Sequence, residues 1–474
     1  MMYFNLIFSL LFLQANAWKF FHLGRMSGGN LGEPAGHSSL LSSSSVKTSW
    51  FTQILNHFNP RETTTWLQRY YVNDQFYNDG GPIFLMIGGE GEASDKWMTQ
   101  GHGYYGKSYP TEDLSVKNLV YLSSEQALAD LANFITTMNS QYKLKGKWIA
   151  FGGSYPGSLA AWLRMKYPHL VHGAMSASGP LLADVDFFDY FRVVDESLKT
   201  FSEECLTSIK NANEQVSLLM KHPLGLKKLN KAFKLCDPLE SLIGEQKHIS
   251  NFWETLAGNF AGVVQYNKDN RIGKTKAGNI TIDDVCGIMV NETIGIPLDR
   301  LAAVNSLLLD ANHVKCMDYN YDTMIKELRN ISRNDNGARQ WTYQTCTEFG
   351  FYQTSSYSPQ VFGDQFPVDF FIKQCQDIFG SRFDGDFLNQ VVDQTNINYG
   401  GLDIEVTNVV FVHGSIDPWH ALGITKTKNQ DAPAIYIPGV AHCANMYPKS
   451  DSDPPELNQA RVEIENYIDK WLRL

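Results

Sequence analysis

Trp148-Ile-Ala-Phe-Gly-Gly-Ser154-Tyr-Pro-Gly-Ser-Leu-Ala-Ala-Trp162 decides how this chain folds. Its opening apolar run, Trp148 to Phe151, reads as a buried strand, and Ser158 to Met165 reads as a helix. Between them, Gly152-Gly153-Ser154-Tyr155-Pro156-Gly157 forms a sharp strand-to-helix turn with a serine at its tip. A nucleophile elbow needs that context. The turn drives the serine hydroxyl outward. It also sets the Tyr155 N–H and the positive helix end beside any oxyanion that forms. The Gly-x-Ser-x-Gly pattern is incomplete, because Pro156 stands two residues after the serine and Gly157 follows. Proline is tolerated in a first helical turn, where its missing N–H would be unpaired anyway. A plain Gly/Ser turn without chemistry fits the local motif too, so the partners downstream have to decide.

Outward from this stretch, Trp50 to Leu55 and Thr65 to Val72 read as an early antiparallel pair. Pro82 to Ile87 reads as a buried strand ending in Gly88-Gly89-Glu90-Gly91, and Leu119 to Leu122 as the next strand. Ser124 to Met138 is an amphipathic helix capped by Ser123 or Ser124. After the elbow helix, which ends near Pro168, Gly173 to Ala177 is another strand. Alternating strands and helices predict an α/β fold with a mostly parallel sheet. From about Leu181 the rhythm changes. Residues 185–240 read as helical, and Phe349 to Phe371 is aromatic and loop-like. The sheet pattern returns at Val406 to Val412, which runs into His413-Gly-Ser-Ile-Asp417-Pro-Trp-His420. Ala434 to Ile437 is the last strand and precedes Gly439-Val-Ala-His442. Leu457 to Leu472 is a terminal amphipathic helix. Residues 47–181 and 396–474 are therefore expected to build one domain, with 182–395 inserted as a mainly helical cap.

Composition narrows the setting. A chain of 474 residues is too long for one simple core. A net charge of −10, with no basic stripe, argues against a nucleic-acid partner. Met1 to Ala17 reads as a secretory signal peptide, with Ala15-Asn-Ala17 as its cleavage site. Residues 18–46 are Gly/Ser-rich and read as a disordered lead or a propeptide. No later stretch is long and apolar enough to span a membrane. Of the seven cysteines, six fall between Cys205 and Cys375, which predicts up to three disulfides there and leaves Cys443 as the free thiol. Sequons at Asn279, Asn291 and Asn330 agree with secretion. The absence of a Cys-x-x-Cys pair argues against zinc, and neither a metal nor a cofactor is expected.

Ser154, Asp417 and His442 occur in the chain order Ser…Asp…His of α/β-hydrolases, each just past an expected strand. A serine hydroxyl needs a base at neutral pH. His442 would take its proton, and Asp417 would orient the imidazole and stabilise the imidazolium. His413 and His420 are rival bases. A second oxyanion N–H is expected from the glycine loop after the strand at 82–87, at Gly89, where backbone can approach a ligand closely. Glu90 beside it is placed either to bind a substrate amine or to face solvent.

These residues, together with Tyr104-Tyr-Gly-Lys-Ser-Tyr-Pro110, Ser124-Glu-Gln-Ala-Leu-Ala-Asp130, Asp417-Pro-Trp-His and Trp341-Thr-Tyr-Gln-Thr-Cys-Thr-Glu348-Phe-Gly-Phe-Tyr-Gln353, resemble the serine carboxypeptidase S28 family, above all its thymus-specific branch. The resemblance runs from about residue 50 to 470. It implies an α/β-hydrolase domain with a helical domain inserted over the site. It implies Ser154, Asp417 and His442 as the triad and no metal, and it offers Trp341 and Glu348 as substrate-binding residues. It further implies exopeptidase action on short peptides next to proline, in a secreted or lysosomal protein, and leaves a homodimer open. Three features depart from the family pattern. Pro156 replaces a Gly or Ala. Gly101-His-Gly103 stands where relatives carry a Glu-His-Arg type of stretch. Gly88-Gly89-Glu90-Gly91 replaces the Gly-Asn-Glu-Gly of the prolyl exopeptidases. A carboxylesterase or lipase on the same fold, and a non-catalytic binding module, are the competing readings.

Overall fold

The computed structural model describes residues 21–26, 46–92, 97, 108–268, 280–333 and 336–473. The expected signal peptide, the Asn279 sequon and the blocks at Gly101–Gly103 and Tyr104–Lys107 lie outside these residues. Strands β1 (Phe21–His22) and β2 (Arg25–Met26) form a small hairpin, and β3 (Lys47–Ile54) pairs antiparallel with β4 (Thr65–Val72). The central sheet holds β5 (Ile83–Met86), β6 (Trp148–Gly153), β7 (Val171–Ala177), β10 (Val409–Gly414) and β11 (Ala434–Ile437). All its neighbours are parallel, in the order β11-β10-β7-β6-β5. Two short strands, β8 (Asp184–Asp186) and β9 (Gly350–Tyr352), pair outside it.

Both faces of the sheet are covered, as an all-parallel sheet requires. On one face Leu85, Ile135, Leu159 and Trp162 belong to an apolar core that runs on without a break through Phe187, Phe252, Phe349 and Phe371. On the other, Met175, Val410, Val412 and Ile435 pack on the terminal helix Pro455–Arg473 through Leu457, Ile464 and Trp471. Between β7 and β10 the chain is mainly helical, and its helices share the first core with the sheet. Three disulfides staple this part: Cys205–Cys286, Cys236–Cys316 and Cys346–Cys375. Cys443 is free and buried, as its isolated position suggested.

One expected strand is not a strand. Val116–Leu119 is a helical turn, with the Leu119 and Leu122 N–H groups bonded back to Ser115 and Leu119 carbonyls at 2.9 Å each. A four-residue apolar run does not distinguish a buried strand from a buried turn. The Leu119/Leu122 spacing places both leucines on one face of that turn, and both are buried. The helix that follows runs Ser124–Tyr142, with Ser123 as its N-cap accepting from the Gln126 N–H. The stretch Phe349 to Phe371, expected to be loop-like, is irregular over residues 353–367, but it opens on β9 and closes in the helix Val368–Phe379.

The elbow helix Tyr155–Lys166 is tied to the helix Gly385–Tyr399 by Trp162, which stacks on Tyr399 with centroids 4.0 Å apart and planes 10° from parallel. Both rings are almost fully buried. Trp162→Ala should therefore lower unfolding free energy by about 3–5 kcal/mol. Trp162→Phe should lose clearly less, because the Trp162 Nε1 has no hydrogen-bond partner among the described residues. Urea denaturation of both variants checks the pair.

Candidate active site

Ser154 sits at the end of β6 with φ +67° and ψ −138°, a backbone region that side-chain-bearing residues rarely adopt. The Ser154 N–H donates to the Ala177 carbonyl at 2.9 Å, and the Ser154 carbonyl accepts from the Gly157 N–H at 2.7 Å. Two glycines make room for this turn. A Cβ on Gly152 would lie 1.9 Å from the Pro156 carbonyl oxygen, and one on Gly157 would lie 2.7 Å from the Ala177 oxygen. Pro156 occupies the first turn of the helix without distorting it.

Asp417 and His442 follow β10 and β11, so all three residues leave the carboxyl edge of one sheet. The His442 Nδ1–H donates to Asp417 Oδ1 at 2.9 Å, and neither side chain is exposed. The same oxygen accepts from the Trp419 N–H at 3.0 Å. Burial alone would push the Asp417 carboxyl up, but the contact with His442 holds it below its ordinary value. Burial opposes charge on His442 as well. The Asp417 carboxylate outweighs that and raises the imidazole well above its usual range. The His442 Nε2 is buried and without a hydrogen-bond partner among the described residues.

The rival histidines lack this arrangement. His413 is fully buried, and burial pushes it down to about 4. Neither of its ring nitrogens has a hydrogen-bond partner among the described residues, and it is packed against Gly423. His420 is lowered by burial and lies edge-on to Tyr436.

The glycine loop after β5 reaches the elbow. A Cβ on Gly89 would lie 2.3 Å from Pro156 Cγ, so the loop and the proline ring are in direct contact. Glu90 is buried, and its carbonyl accepts from Arg25 Nε at 2.8 Å. Trp341 packs on Tyr155, with ring centroids 6.0 Å apart, which places it beside the elbow. Glu348 is engaged inside the protein. Its Oε1 accepts from the Ser124 N–H and hydroxyl at 2.8 and 2.5 Å, and its Oε2 accepts from Gln344 Nε2 at 3.2 Å. Burial raises it to about 7. Gln344 in turn donates to the Tyr155 hydroxyl at 3.1 Å. Glu348 thus links the helix Ser124–Tyr142 to the elbow's tyrosine instead of presenting an open carboxylate.

Sequence reading did not single out Gln265, at the end of the helix Gln246–Gln265. Its backbone carbonyl accepts from the His442 N–H at 3.0 Å. Its Oε1 accepts from Tyr190 Oη at 2.7 Å and Trp419 Nε1 at 2.9 Å, and its Nε2 donates to the Tyr266 hydroxyl at 2.8 Å. It fastens the histidine loop and the aspartate loop to one helix. A lone Gln at the end of an apolar helix carries no local signal of that role. The sequons at Asn291 and Asn330 are exposed, each with its side-chain oxygen turned onto the residue two further on.

A strained serine at a strand-to-helix turn and a buried Asp–His pair, all at the carboxyl edge of a parallel sheet, define the class as an α/β-hydrolase. The chain belongs to the serine carboxypeptidase S28 family, whose model matches residues 53–464, and is therefore a serine peptidase. A serine protease of Caenorhabditis elegans is 37% identical over 480 residues, covering 95% of this chain and 93% of that protein. The thymus-specific serine protease of Mus musculus is 34% identical over 458 residues, covering 90% and 88%. The lysosomal Pro-X carboxypeptidase of Homo sapiens is 30% identical over 461 residues, with the same coverage of 90% and 88%.

The contact between Gly89 and Pro156 yields a double-mutant test. Gly89→Ala should destabilise the protein in the parent background, and Pro156→Gly should relieve much of that loss. The coupling should be on the order of 1–3 kcal/mol in denaturation, the range of residues in direct contact.

Proposed function

We propose that Ser154, His442 and Asp417 act as nucleophile, general base and orienting carboxylate in peptide hydrolysis. The observation that carries this is the 2.9 Å His442–Asp417 bond, buried at the sheet edge that also bears the strained serine. In this reading the Ser154 hydroxyl attacks the scissile carbonyl as His442 Nε2 takes its proton. His442 then gives that proton to the leaving amine, and water releases the acyl group by the same route in reverse. The oxyanion would be met by the Tyr155 and Gly89 N–H groups at the helix start and the glycine loop. Residues 182–395 act as the cap, which admits chain ends better than chain middles. Relatives named as Pro-X carboxypeptidases support a preference for bonds next to proline. The disulfides, the exposed sequons and the lysosomal names of those relatives support passage through the secretory pathway to the exterior or the lysosome.

A fluorophosphonate probe should label Ser154, and Ser154→Ala should abolish both labelling and peptide turnover. Absence of labelling in a folded protein would sink the assignment. Asp417→Asn should lower kcat/KM on the order of 10⁴-fold. It should also shift the acid limb of the pH profile downward. The active base is neutral His442, and the carboxylate that raises its pKa would be gone. An unmoved limb would remove Asp417 from this role.

A further inference from the structure

The hairpin β1–β2 turns through Leu23 and Gly24, both at positive φ (49° and 66°), and pairs Phe21 with Met26 and His22 with Arg25. Six residues cannot form a core of their own, yet Phe21, His22, Leu23 and Arg25 are all buried, Leu23 to 1% exposure. What buries them is the wall of the candidate active site.

Trp341 Nε1 donates to the Leu23 carbonyl and Gln265 Nε2 to the Gly24 carbonyl, both at 3.1 Å. Arg25 Nε donates to the Glu90 carbonyl at 2.8 Å, and Arg25 Nη2 donates to the Asn336 carbonyl. A Cβ on Gly24 would lie 2.3 Å from Trp419 Cζ2 and 2.8 Å from Gln353 Nε2, so the turn is pressed onto the indole. Phe21 lies against Gly262 of the helix Gln246–Gln265. Four of these anchors belong to elements that build the site. Glu90 follows Gly89, the Trp419 N–H donates to Asp417, the Gln265 carbonyl holds His442, and Trp341 packs on Tyr155. Main-chain carbonyls taken by fixed donors, with side chains seated in flanking pockets, are how a groove holds a bound peptide.

We infer that Phe21–Met26 is an intramolecular inhibitor, a peptide segment of this same chain seated on the substrate-binding wall. This inference rests on the proposed function above. While the segment stays tethered to β3, its effective concentration is high and substrate competes poorly. Hydrolysis by a processing peptidase of one peptide bond between the hairpin and β3, with water supplying the new carboxylate oxygen and the amine proton, lets the hairpin leave and returns Trp341 Nε1 and Gln265 Nε2 to an incoming peptide. The occupant also describes the ligand class: a short peptide that turns at the site, with a small residue at the indole and a basic side chain following it.

The test compares the purified full chain with Gly24→Val and Arg25→Ala variants, which alter the hairpin alone. Readouts are the fluorophosphonate labelling rate at Ser154 and kcat/KM on a small fluorogenic peptide. Loss of a charged hydrogen-bonding group should raise both by about ten-fold or more. A synthetic peptide of residues 18–30 should inhibit the variants in trans, and its Gly24→Val version should not. Equal rates in parent and variants, with no inhibition by the peptide, would make the hairpin a fixed part of the fold and overturn the proposal. No labelling of either form, with both melting cooperatively, would instead overturn the serine-peptidase mechanism and the inhibitor with it.

Discussion

The structure depends on one strained residue. Ser154 holds a backbone conformation that costs of order 1–3 kcal/mol and persists only because its surroundings leave no alternative. Its N–H is fixed to β7 through Ala177, its carbonyl starts the helix through Gly157, and β6 and that helix approach too closely for any side chain at Gly152. Relaxing the serine would require moving a central strand or the helix packed on it. The buried core that includes Ile149, Ala150, Ala160 and Ala161 resists both movements. Burial there is converted into a hydroxyl held at the sheet edge.

The aspartate and histidine raise a different physical problem, because a buried ion pair stabilises little unless its remaining groups are satisfied. The Trp419 N–H and the His442 Nδ1–H both meet Asp417 Oδ1, and Gln265 holds the His442 backbone and the Trp419 indole, while Asp417 Oδ2 and His442 Nε2 have no hydrogen-bond partner among the described residues. The helix Gln246–Gln265 thereby fixes two loops that leave different strands. The helical segment between β7 and β10 thus helps to hold the Asp417 and His442 loops at the sheet edge. Its core is continuous with that of the sheet, so it does not pack as a separate body. His413 shows what happens to an imidazole without a hydrogen-bonded carboxylate: burial drives it toward the neutral form, against the pull of the nearby Asp417.

The features that were legible in the sequence are those written locally. Strands β5, β6, β10 and β11 are apolar runs closed by glycine or turn residues; Ser154 follows β6 at once, and Asp417 and His442 lie in the loops that follow β10 and β11. The elbow could be read because its glycines are demanded by close backbone contacts within a few residues. The segment Leu119–Leu122 misled because a four-residue apolar run has no measurable period. Gln265 and Glu348 were opaque for another reason. Their roles consist of bonds to residues far away in sequence: Gln265 to the Trp419 indole and the His442 backbone, and Glu348 to Ser124. Those bonds exist only once the helical segment is docked. The hairpin Phe21–Met26 was hidden by composition, since a Gly/Ser-rich lead does not announce that its first residues are buried elsewhere.

Gly89 and Pro156, both singled out in the sequence as departures from the family pattern, lie against each other. In the structure the proline ring fills the space that a side chain at position 89 would enter, with Cγ and Cδ only 2.3 and 2.4 Å from a Cβ there. A side chain at 89 and a proline ring at 156 therefore compete for one space: Pro156 requires glycine at 89, whereas Gly89 does not require the proline. The consequence is steric: beside Gly89 this protein presents a rigid apolar ring rather than room for a side chain. In the proposed reading, Trp341 Nε1 and Gln265 Nε2, the two donors that hold the hairpin carbonyls, are polar groups offered to a peptide once the hairpin leaves.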